Sequence, residues 1–389
     1  MRFIHSSDLQ IGMVFNYFEP EAAALLQDAR HRAVRILGEL AVQHGATVVL
    51  LAGDIYDKEQ LKPQTLAKPM EVMRQFPGIA WHLIPGNHDH ARENGLWDRL
   101  RRLGLPANVR LHTDPGAVQI ADGDGASVFL LPAPLRHLAS NDDLTAYMDR
   151  EATPAGVVRI GIAHGSVQNF GSDPGETRNP IAPDRAEQAG LAYLALGDWH
   201  RQLRINARTW YSGTPEPDQF KLPPDSGGTL CNGGSALLVD IAGVRAIPVV
   251  EPVETGTYRW HQVRETLSED SHIDVLEARL RGLDPVLGRV VLDLRVTGTL
   301  SLAGRKRFGE AIIESGVGAA VRAIRLDEGL VLEPTGADMD DIDRPGGFIR
   351  DAAERLRKLK NDHVDRRRAR LAELALRRLY LEHLGMANQ

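Results

Sequence analysis

The chain has 389 residues, of which 43% are hydrophobic and 25% are charged, and its formal net charge is −6. This length predicts more than one compact unit, and the composition excludes a low-complexity or fibrous protein. No apolar run reaches about 18 residues, so the sequence predicts no membrane-spanning helix. The single Cys231 and the absence of an apolar core near the N-terminus indicate a cytoplasmic protein without a signal peptide.

Short apolar runs alternate with helical patterns over residues 1–245. The runs are rich in Val, Ile and Leu, which is typical of strands covered on both faces. Residues 20–43, between the first two runs, predict a long amphipathic helix. Together these patterns predict an α/β fold with a layered sheet, in which ligands collect beyond the strand ends. The predicted strands are 2–5, 47–52, 79–84, 128–131, 157–163, 191–196 and 209–212.

A second pattern begins near residue 258 and predicts a small α+β domain, which we place at 250–337. The acidic segment 338–343, followed by Pro345 and two glycines, predicts a linker. The predicted elements of the small domain are strands at 258–264, 289–296 and 321–326 and helices at 273–283 and 302–315.

The tail, residues 344–389, is predicted to be helical and is strongly basic. Residues 348–384 contain eleven Arg or Lys residues against six Asp or Glu residues. Apolar residues at helical spacing form a stripe in two pieces, which the arginines at 366–368 separate. Such a tail could bind DNA, fold back on its own domain, or pack its apolar stripe onto the coiled coil of a partner.

Polar side chains with metal-ligating chemistry follow five of the predicted strands. Two metal ions that share a bridging carboxylate can activate water and hydrolyse a phosphodiester. Asp54, directly after Gly53, is the best candidate for that carboxylate, and His88 is suited to orient a phosphate or to protonate a leaving oxygen while Asp89 holds its ring. The candidate residues are Asp8, Gln10, Asp54, Asn87, His88, Asp89, His164, Asp198 and His200.

Each of these residues also has an ordinary interpretation. An isolated Asp after a strand is usually a helix cap or a turn residue. An isolated His is more often a hydrogen-bonded structural residue than a ligand. The tetrapeptide GNHD is much more specific, and all five segments occur in an order that favours a metal site.

In order, the segments DLQ, GD, GNHD, H and GDWH resemble the calcineurin-like metallophosphoesterase superfamily, whose pattern is DxH, GD, GNHD, H and GHxH. HSSDLQIG, LAGDIYD, IPGNHD and YSGTPEPDQF more closely resemble the nuclease subunit of the bacterial SbcCD complex and its archaeal and eukaryotic counterparts. The resemblance covers the whole chain. It implies a layered β-sandwich-type metallophosphoesterase domain flanked by helices, a capping domain that positions DNA, and C-terminal helices that bind an SbcC-like ATPase of the SMC class.

The resemblance also implies a homodimer and two divalent metal ions, most often Mn²⁺, with Mg²⁺ as the alternative. The family has His where this chain has Gln10 and Asp198. Each exchange replaces an imidazole with an oxygen donor, which favours Mn²⁺ or Mg²⁺ over Zn²⁺; the alternative is that one metal has been lost. By motif, one ion would be held by Asp8, Gln10, Asp54 and His200, and the other by Asp54, Asn87, His164 and Asp198, with His88 as the catalytic histidine.

The leading interpretation, as the resemblance implies, is a metal-dependent DNA nuclease of double-strand-break repair, a 3′→5′ exonuclease with endonuclease activity. The first alternative is a catalytically impaired subunit that binds DNA ends or acts as a scaffold. The second is a small-molecule phosphodiesterase, although a small substrate needs neither the capping domain nor the basic tail. Arg279, Arg281, Arg305, Lys306 and Arg307 could contact phosphates, although charges on short helices are more often solvated surface residues.

Overall fold

The computed structural model describes residues 1–121, 127–168, 178–220, 233–332, 348–361 and 365–387. The chain folds into two compact units, Met1–Trp260 and His261–Gln389. The predicted class, an α/β layered fold with a small α+β region and C-terminal helices, is confirmed. The predicted division into 1–245, 250–337 and 344–389 stays a prediction. The linker predicted at 338–343 and Cys231 lie outside the described residues.

Two six-stranded sheets and a two-stranded sheet form the first unit. The first sheet contains β1 (Arg2–Ser6), β2 (Val48–Ala52), β3 (Ala80–Ile84), β4 (Val109–Leu111), β13 (Ser235–Asp240) and β14 (Val249–Glu254). The second contains β5 (Val118–Ala121), β6 (Val128–Ala133), β7 (Val158–His164), β10 (Tyr193–Gly197), β11 (Leu203–Arg204) and β12 (Thr209–Tyr211); β8 (Ser166–Val167) pairs with β9 (Pro180–Ile181). The strand orders are β14-β13-β1-β2-β3-β4 and β11-β12-β10-β7-β6-β5.

Helices cover the outer face of the first sheet. Helix α1 begins at a proline, whose fixed φ and missing N–H suit the first helical position. Its apolar stripe, which includes Leu37, packs in one core with Ile4 and Val49 of the first sheet. The helices of this unit are α1 (Pro20–Gln43), α2 (Pro63–Arg74), α3 (Leu96–Leu103) and α4 (Arg185–Gln188), with a 3₁₀ turn at Ala146–Asp149.

A second core lies between the two sheets. Phe3 and Leu50 of the first sheet pack there with Ile160 and Ala195 of the second. Because helices and a second sheet cover their two faces, β2 is hydrophobic throughout and β1 is buried from Phe3 to Ser6. Strands β1, β2 and β3 run parallel, as do β7 and β10. The carboxyl ends of these five strands are therefore the places where a ligand site is expected.

The second unit contains a three-stranded sheet with helices packed on one face. Its strands are β15 (Arg259–Leu267), which begins two residues before the unit, β16 (Val290–Leu300) and β17 (Ala323–Leu332). Its helical segments are α5 (His272–Arg281), a 3₁₀ turn (Leu287–Arg289), α6 (Leu302–Phe308), a π-helix (Gly309–Glu314) and α7 (Val317–Ala320). Ser301 directly precedes α6, and its hydroxyl accepts from the N–H of Gly304 and so caps the helix.

Two C-terminal helices, Phe348–Lys360 and Arg366–Ala387, complete the second unit. They pack against each other through Ala353 of the first helix and Leu376 of the second. Leu371 and Leu374 of the second helix stay largely exposed. Among the described residues, no helix is both long enough and apolar enough to cross a membrane.

Candidate metal centre

Strand ends of both sheets carry the predicted site residues. Asp8 and Gln10 follow β1, and Asp54 follows β2. The first two loops are joined by their backbones, since the N–H of Asp8 donates to the carbonyl oxygen of Gly53 at 3.0 Å and that of Gln10 to Asp54 at 3.0 Å. Asn87 and His88 follow β3, His164 ends β7, and Asp198 and His200 follow β10.

Four of the predicted ligand residues have left-handed backbone conformations. The φ angle is 53° at Asp8, 48° at Gln10, 52° at Asp54 and 105° at Asp198. Such angles are uncommon for residues with a Cβ atom and cost on the order of 1–3 kcal/mol each. Strain of this kind clusters at functional sites, where the surrounding structure enforces it. The backbone therefore marks these segments independently of their side-chain chemistry.

Two glycines allow the ligand-bearing segments to approach closely. Gly53 has a φ of +87°, and a Cβ there would lie 2.3 Å from Nδ1 of His164. A Cβ on Gly86 would lie 2.2 Å from Oδ1 of Asp54. Any larger residue at either position would push a predicted ligand out of place.

Asp54, Asn87, His164 and Asp198 form a first ligand group. Nδ1 of His164 donates to the carbonyl oxygen of Ala52 at 2.8 Å, so a neutral ring directs its Nε2 lone pair at the cluster. Nε2 lies 2.8 Å from Oδ1 of Asn87 and 3.6 Å from Oδ1 of Asp54. It also lies 3.7 Å from Oδ1 of Asp198. These are the four residues predicted to hold one ion.

The side-chain oxygen of Asn87 faces only acceptor atoms, namely Nε2 of His164 and the carboxylate oxygens of Asp54. Converging lone pairs repel one another unless a proton or a cation lies among them. Reversing the amide would bring its NH₂ group to this position and satisfy these acceptors without an ion. The Asn87 amide thus reaches the cluster in either orientation, and with its oxygen inward it could ligate a divalent cation.

Asp8, Gln10, Asp54 and His200 form a second ligand group. Nε2 of Gln10 donates to Oδ2 of Asp54 at 2.9 Å, while Oε1 of Gln10 is buried without a hydrogen-bond partner. Nε2 of His200 lies 3.8 Å from Oδ1 of Asp8. A buried acceptor with no donor is costly unless a cation or water satisfies it. Ligand atoms of Asp8, Asp54 and His164 all lie within 4.8 Å of one another, close enough to hold a metal ion.

The electrostatics of the site also favour cation binding. Burial raises the pKa of Asp8. Burial would lower the pKa of His164, but the nearby carboxylates, led by that of Asp54, outweigh it and raise the pKa to about 9. Asp218 and Asp8 likewise overcome burial and raise the pKa of His200 to about 9. Buried negative charge of this density attracts protons, and divalent cations would neutralise it in their place.

His88 lies beside the cluster with its side chain 46% exposed. Its Nε2 is 3.9 Å from Oδ2 of Asp54, and its Nδ1 donates to the carbonyl oxygen of Asp57 at 2.8 Å. The prediction that Asp89 holds the ring of His88 is wrong. The Asp89 carboxyl is fully buried and accepts from the N–H groups of Gly86 and Tyr56, at 2.7 and 3.1 Å. It orders the ligand loop, and a backbone carbonyl orients His88.

Burial and the negative charge of Asp54 raise the pKa of Asp89 to about 8. Both effects disfavour the charged form of this carboxyl.

Asp218 and Arg30 were not predicted as site residues. Nδ1 of His200 lies 2.7 Å from Oδ2 of Asp218, and Nη2 of Arg30 lies 2.7 Å from the same oxygen. One signal was present in the sequence. Arg30 lies on the apolar stripe of α1, with Leu26 and Ala33, where a charged residue needs a partner.

A layered α/β fold with clustered carboxylates, histidines and an amide at its strand ends is the arrangement expected of a metallophosphoesterase. The family model for calcineurin-like phosphoesterases matches residues 1–174. The predicted resemblance to that family is thus confirmed for this segment, which is less than half of the chain. The closer resemblance to the SbcCD nuclease subunit stays a prediction.

Three similar proteins extend the comparison. An uncharacterized metallophosphoesterase, YhaO of Bacillus subtilis, is 26% identical over 72% of this chain and 64% of its own length. The DNA double-strand break repair protein Mre11 of Aeropyrum pernix is 24% identical over 74% of this chain and 69% of its length. Mre11 of Archaeoglobus fulgidus is 28% identical over 30% of this chain and 26% of its length. The chain thus spans less than two thirds of the Bacillus and Archaeoglobus relatives.

Proposed function

We propose that the protein is a metal-dependent DNA nuclease that hydrolyses phosphodiester bonds in double-strand-break repair, as a 3′→5′ exonuclease with endonuclease activity. The observation that carries the proposal is the convergence of two ligand groups, which share Asp54, at the ends of strands from both sheets. Two repair proteins among the relatives support DNA as the substrate.

Divalent ions held by the two groups would activate a water molecule and stabilise charge on the phosphate. Mn²⁺ is the proposed ion and Mg²⁺ the alternative, because oxygen donors dominate the site. His88 is the residue that would meet the substrate, since its ring is exposed beside the cluster. With Nδ1 donating to the Asp57 carbonyl, Nε2 is left to donate a hydrogen bond or a proton to a phosphate or leaving oxygen.

The deciding experiment uses labelled duplex DNA and bis(p-nitrophenyl) phosphate, each with Mn²⁺. His88→Ala should lower the rate of DNA cleavage by about 10²–10⁴-fold, the usual contribution of a general acid or base. His44→Ala is the matched control, because His44 caps the end of α1 and belongs to neither ligand group.

Each other outcome identifies an alternative. If wild-type protein cleaves neither substrate, the protein is the impaired DNA-end-binding subunit that Gln10 and Asp198 would allow. Cleavage of the small ester alone would identify a small-molecule phosphodiesterase.

DNA contact by the second unit is also a proposal. Each of its five predicted phosphate-contacting cations is paired with a carboxylate. Exposed pairs of this kind contribute only ~0–1 kcal/mol, so a phosphate could replace the carboxylate at little cost. The pairs are Arg279–Glu265, Arg281–Glu277, Arg305–Glu328, Lys306–Glu310 and Arg307–Asp274.

The proposed partners are a second copy of the chain and an SMC-class ATPase bound by the C-terminal helices. Exposed leucines on the second helix support the latter, because they leave an apolar surface uncovered.

A further inference from the structure

A buried ion pair lies directly behind His200. The side chains of Arg30 and Asp218 are each 1% exposed, and Nη2 of Arg30 is 2.7 Å from Oδ2 of Asp218. The same carboxylate oxygen is 2.7 Å from Nδ1 of His200. The three groups form a continuous chain from the helix that covers the first sheet to a predicted ligand of the second ligand group.

The Asp218 carboxylate lies between two nitrogen donors. Because Nδ1 of His200 and Nη2 of Arg30 are each 2.7 Å from its Oδ2, it accepts a hydrogen bond from both neighbours. With Nδ1 of His200 donating to Asp218, the other ring nitrogen is the one that faces Asp8.

Hydrogen bonds join the segment that carries Asp218 to the Asp8 loop and to helix α1. The Thr214 hydroxyl donates to the carbonyl oxygen of Asp8 at 2.8 Å, and Nη1 of Arg30 donates to the carbonyl oxygen of Glu216 at 2.9 Å. The Glu216 carboxylate accepts from the N–H groups of Thr257 and Tyr258. Residues 214–218 thus connect helix α1, the Asp8 loop and His200.

We propose that Asp218 is a positioning residue for His200 and that Arg30 holds Asp218 in place. This inference rests on the proposed function. Asp218 fixes the plane of the imidazole and the nitrogen that carries its proton, so that Nε2 is presented toward Asp8. A carboxylate behind a histidine ligand also makes the ring a stronger donor to a cation.

Arg30 is needed because a buried carboxylate is unfavourable without a partner that is already in place. Its planar guanidinium contacts the Asp218 carboxylate and a backbone carbonyl together, which a flexible ammonium group would do less well.

The test is Mn²⁺ binding by Asp218→Asn. Calorimetric titration should show two equivalents in the wild type, and in the variant one of the two should bind about 10–100-fold more weakly. Electron paramagnetic resonance distinguishes a coupled pair of Mn²⁺ ions from an isolated ion. The wild type at two equivalents should give the coupled spectrum and the variant the isolated one.

Asp218→Asn leaves the Arg30 guanidinium buried without a carboxylate, so it could unfold the protein. The double variant R30M/D218N removes both charges, and we expect it to fold and to show the same weakened equivalent. Asp293→Asn is the matched control, because Asp293 is a buried carboxylate of the second unit with its own arginine partners. It should bind both equivalents as the wild type does.

Wild-type affinity for both equivalents in D218N and R30M/D218N would overturn the positioning role and leave the proposed metal site standing. Fewer than two equivalents in the wild type would instead overturn the two-metal site, and the positioning role with it.

Discussion

Gln10 and Asp198 each add an oxygen donor to one of the two ligand groups, where the family pattern has a histidine nitrogen. Gln10 contacts Asp54 through its amide nitrogen and has a free amide oxygen, while Asp198 accepts from the hydroxyl of Ser166 at 2.8 Å. Both side chains are therefore held at the cluster by specific contacts. This ordered placement favours a site tuned for a hard cation over one that has lost its chemistry.

Replacing Gln10 by His should move the metal preference of the protein toward Zn²⁺. Imidazole binds Zn²⁺ well, whereas amide and carboxylate oxygens suit Mn²⁺ and Mg²⁺. We expect the ratio of Zn²⁺ to Mn²⁺ affinity to rise by roughly tenfold, or ~1.4 kcal/mol. Competition titration measures the ratio, and Asp198→His makes the matched exchange in the other ligand group. An unchanged ratio in both variants would refute the retuned site.

Gly53→Ala should abolish metal binding and also lower the free energy of unfolding. Its left-handed φ costs an L-residue roughly 1–2 kcal/mol, and the new Cβ would overlap the ring of His164. Gly45 provides the control, since its φ is +65° but no atom lies within 4 Å of a Cβ. Chemical denaturation should show a loss in both variants, whereas Mn²⁺ titration should show a loss only for Gly53→Ala. Normal binding by Gly53→Ala would contradict the close packing.

The ligand segments could be predicted from the sequence because each follows an apolar run and carries recognisable chemistry. The contacts that orient them could not. Arg30 and Asp218 are 188 residues apart in the sequence, and their pairing depends on how α1 and the strands pack. The hydrogen-bond partner of His88 could not be predicted either. It is the backbone carbonyl of Asp57, and every residue has such a carbonyl, whatever its side chain.

At the scale of elements, strands buried on both faces were predicted to within one or two residues, and α1 was predicted at its observed bounds. The short strands β4, β5, β8, β9 and β11 were not predicted, and neither was β14, most of whose side chains are exposed or half-buried. The pairing of strands into two separate sheets was also beyond the sequence. A continuous apolar run shows that a strand is covered, but it does not show which sheet it joins.

A buried histidine pair on the first sheet should make the protein sensitive to acid. His82 of β3 stacks on His112, with Nδ1 and Nε2 3.0 Å apart and ring centroids 5.2 Å apart. Burial, together with the charge of Arg110, lowers the pKa of His82 to about 3 and that of His112 to about 4. The folded pair therefore stays neutral over a pH range in which the unfolded chain binds protons.

The free energy of unfolding should thus be unaffected by this pair above about pH 6.5, the ordinary histidine value, and should fall as the pH drops toward 4. The loss approaches about 1.4 kcal/mol per pH unit for each histidine. Denaturant titrations from pH 7 to 4.5 measure it. H82N/H112N should flatten the dependence, whereas His137→Asn, at an exposed histidine, should not. Equal slopes in all three proteins would contradict the assignment.

At the scale of the whole molecule, the C-terminal helices should serve association and not catalysis. Removing residues 348–389 is expected to abolish binding to a purified SMC-class ATPase, because it removes the exposed stripe of Leu371 and Leu374. Cleavage of bis(p-nitrophenyl) phosphate with Mn²⁺ should continue, since every predicted ligand lies in the first unit. Co-elution from a sizing column measures association.

The double variant L371S/L374S is the control for this deletion, because it changes the surface of the second helix and keeps both helices. It should weaken association without removing the tail. Retained association in the deletion would place the ATPase contact elsewhere in the chain.

The ligand groups also bear on how the two sheets hold together. Asp54 comes from the first sheet and His164 from the second, and the second group likewise joins Asp8 to His200 across the sandwich. Ions bound there would cross-link the two sheets at one end of the interface between them. A ligand that binds only the closed sandwich stabilises it in proportion to the logarithm of its concentration. The concentration of metal ions would then determine how readily the two sheets separate at this edge, in addition to the activity of the proposed site.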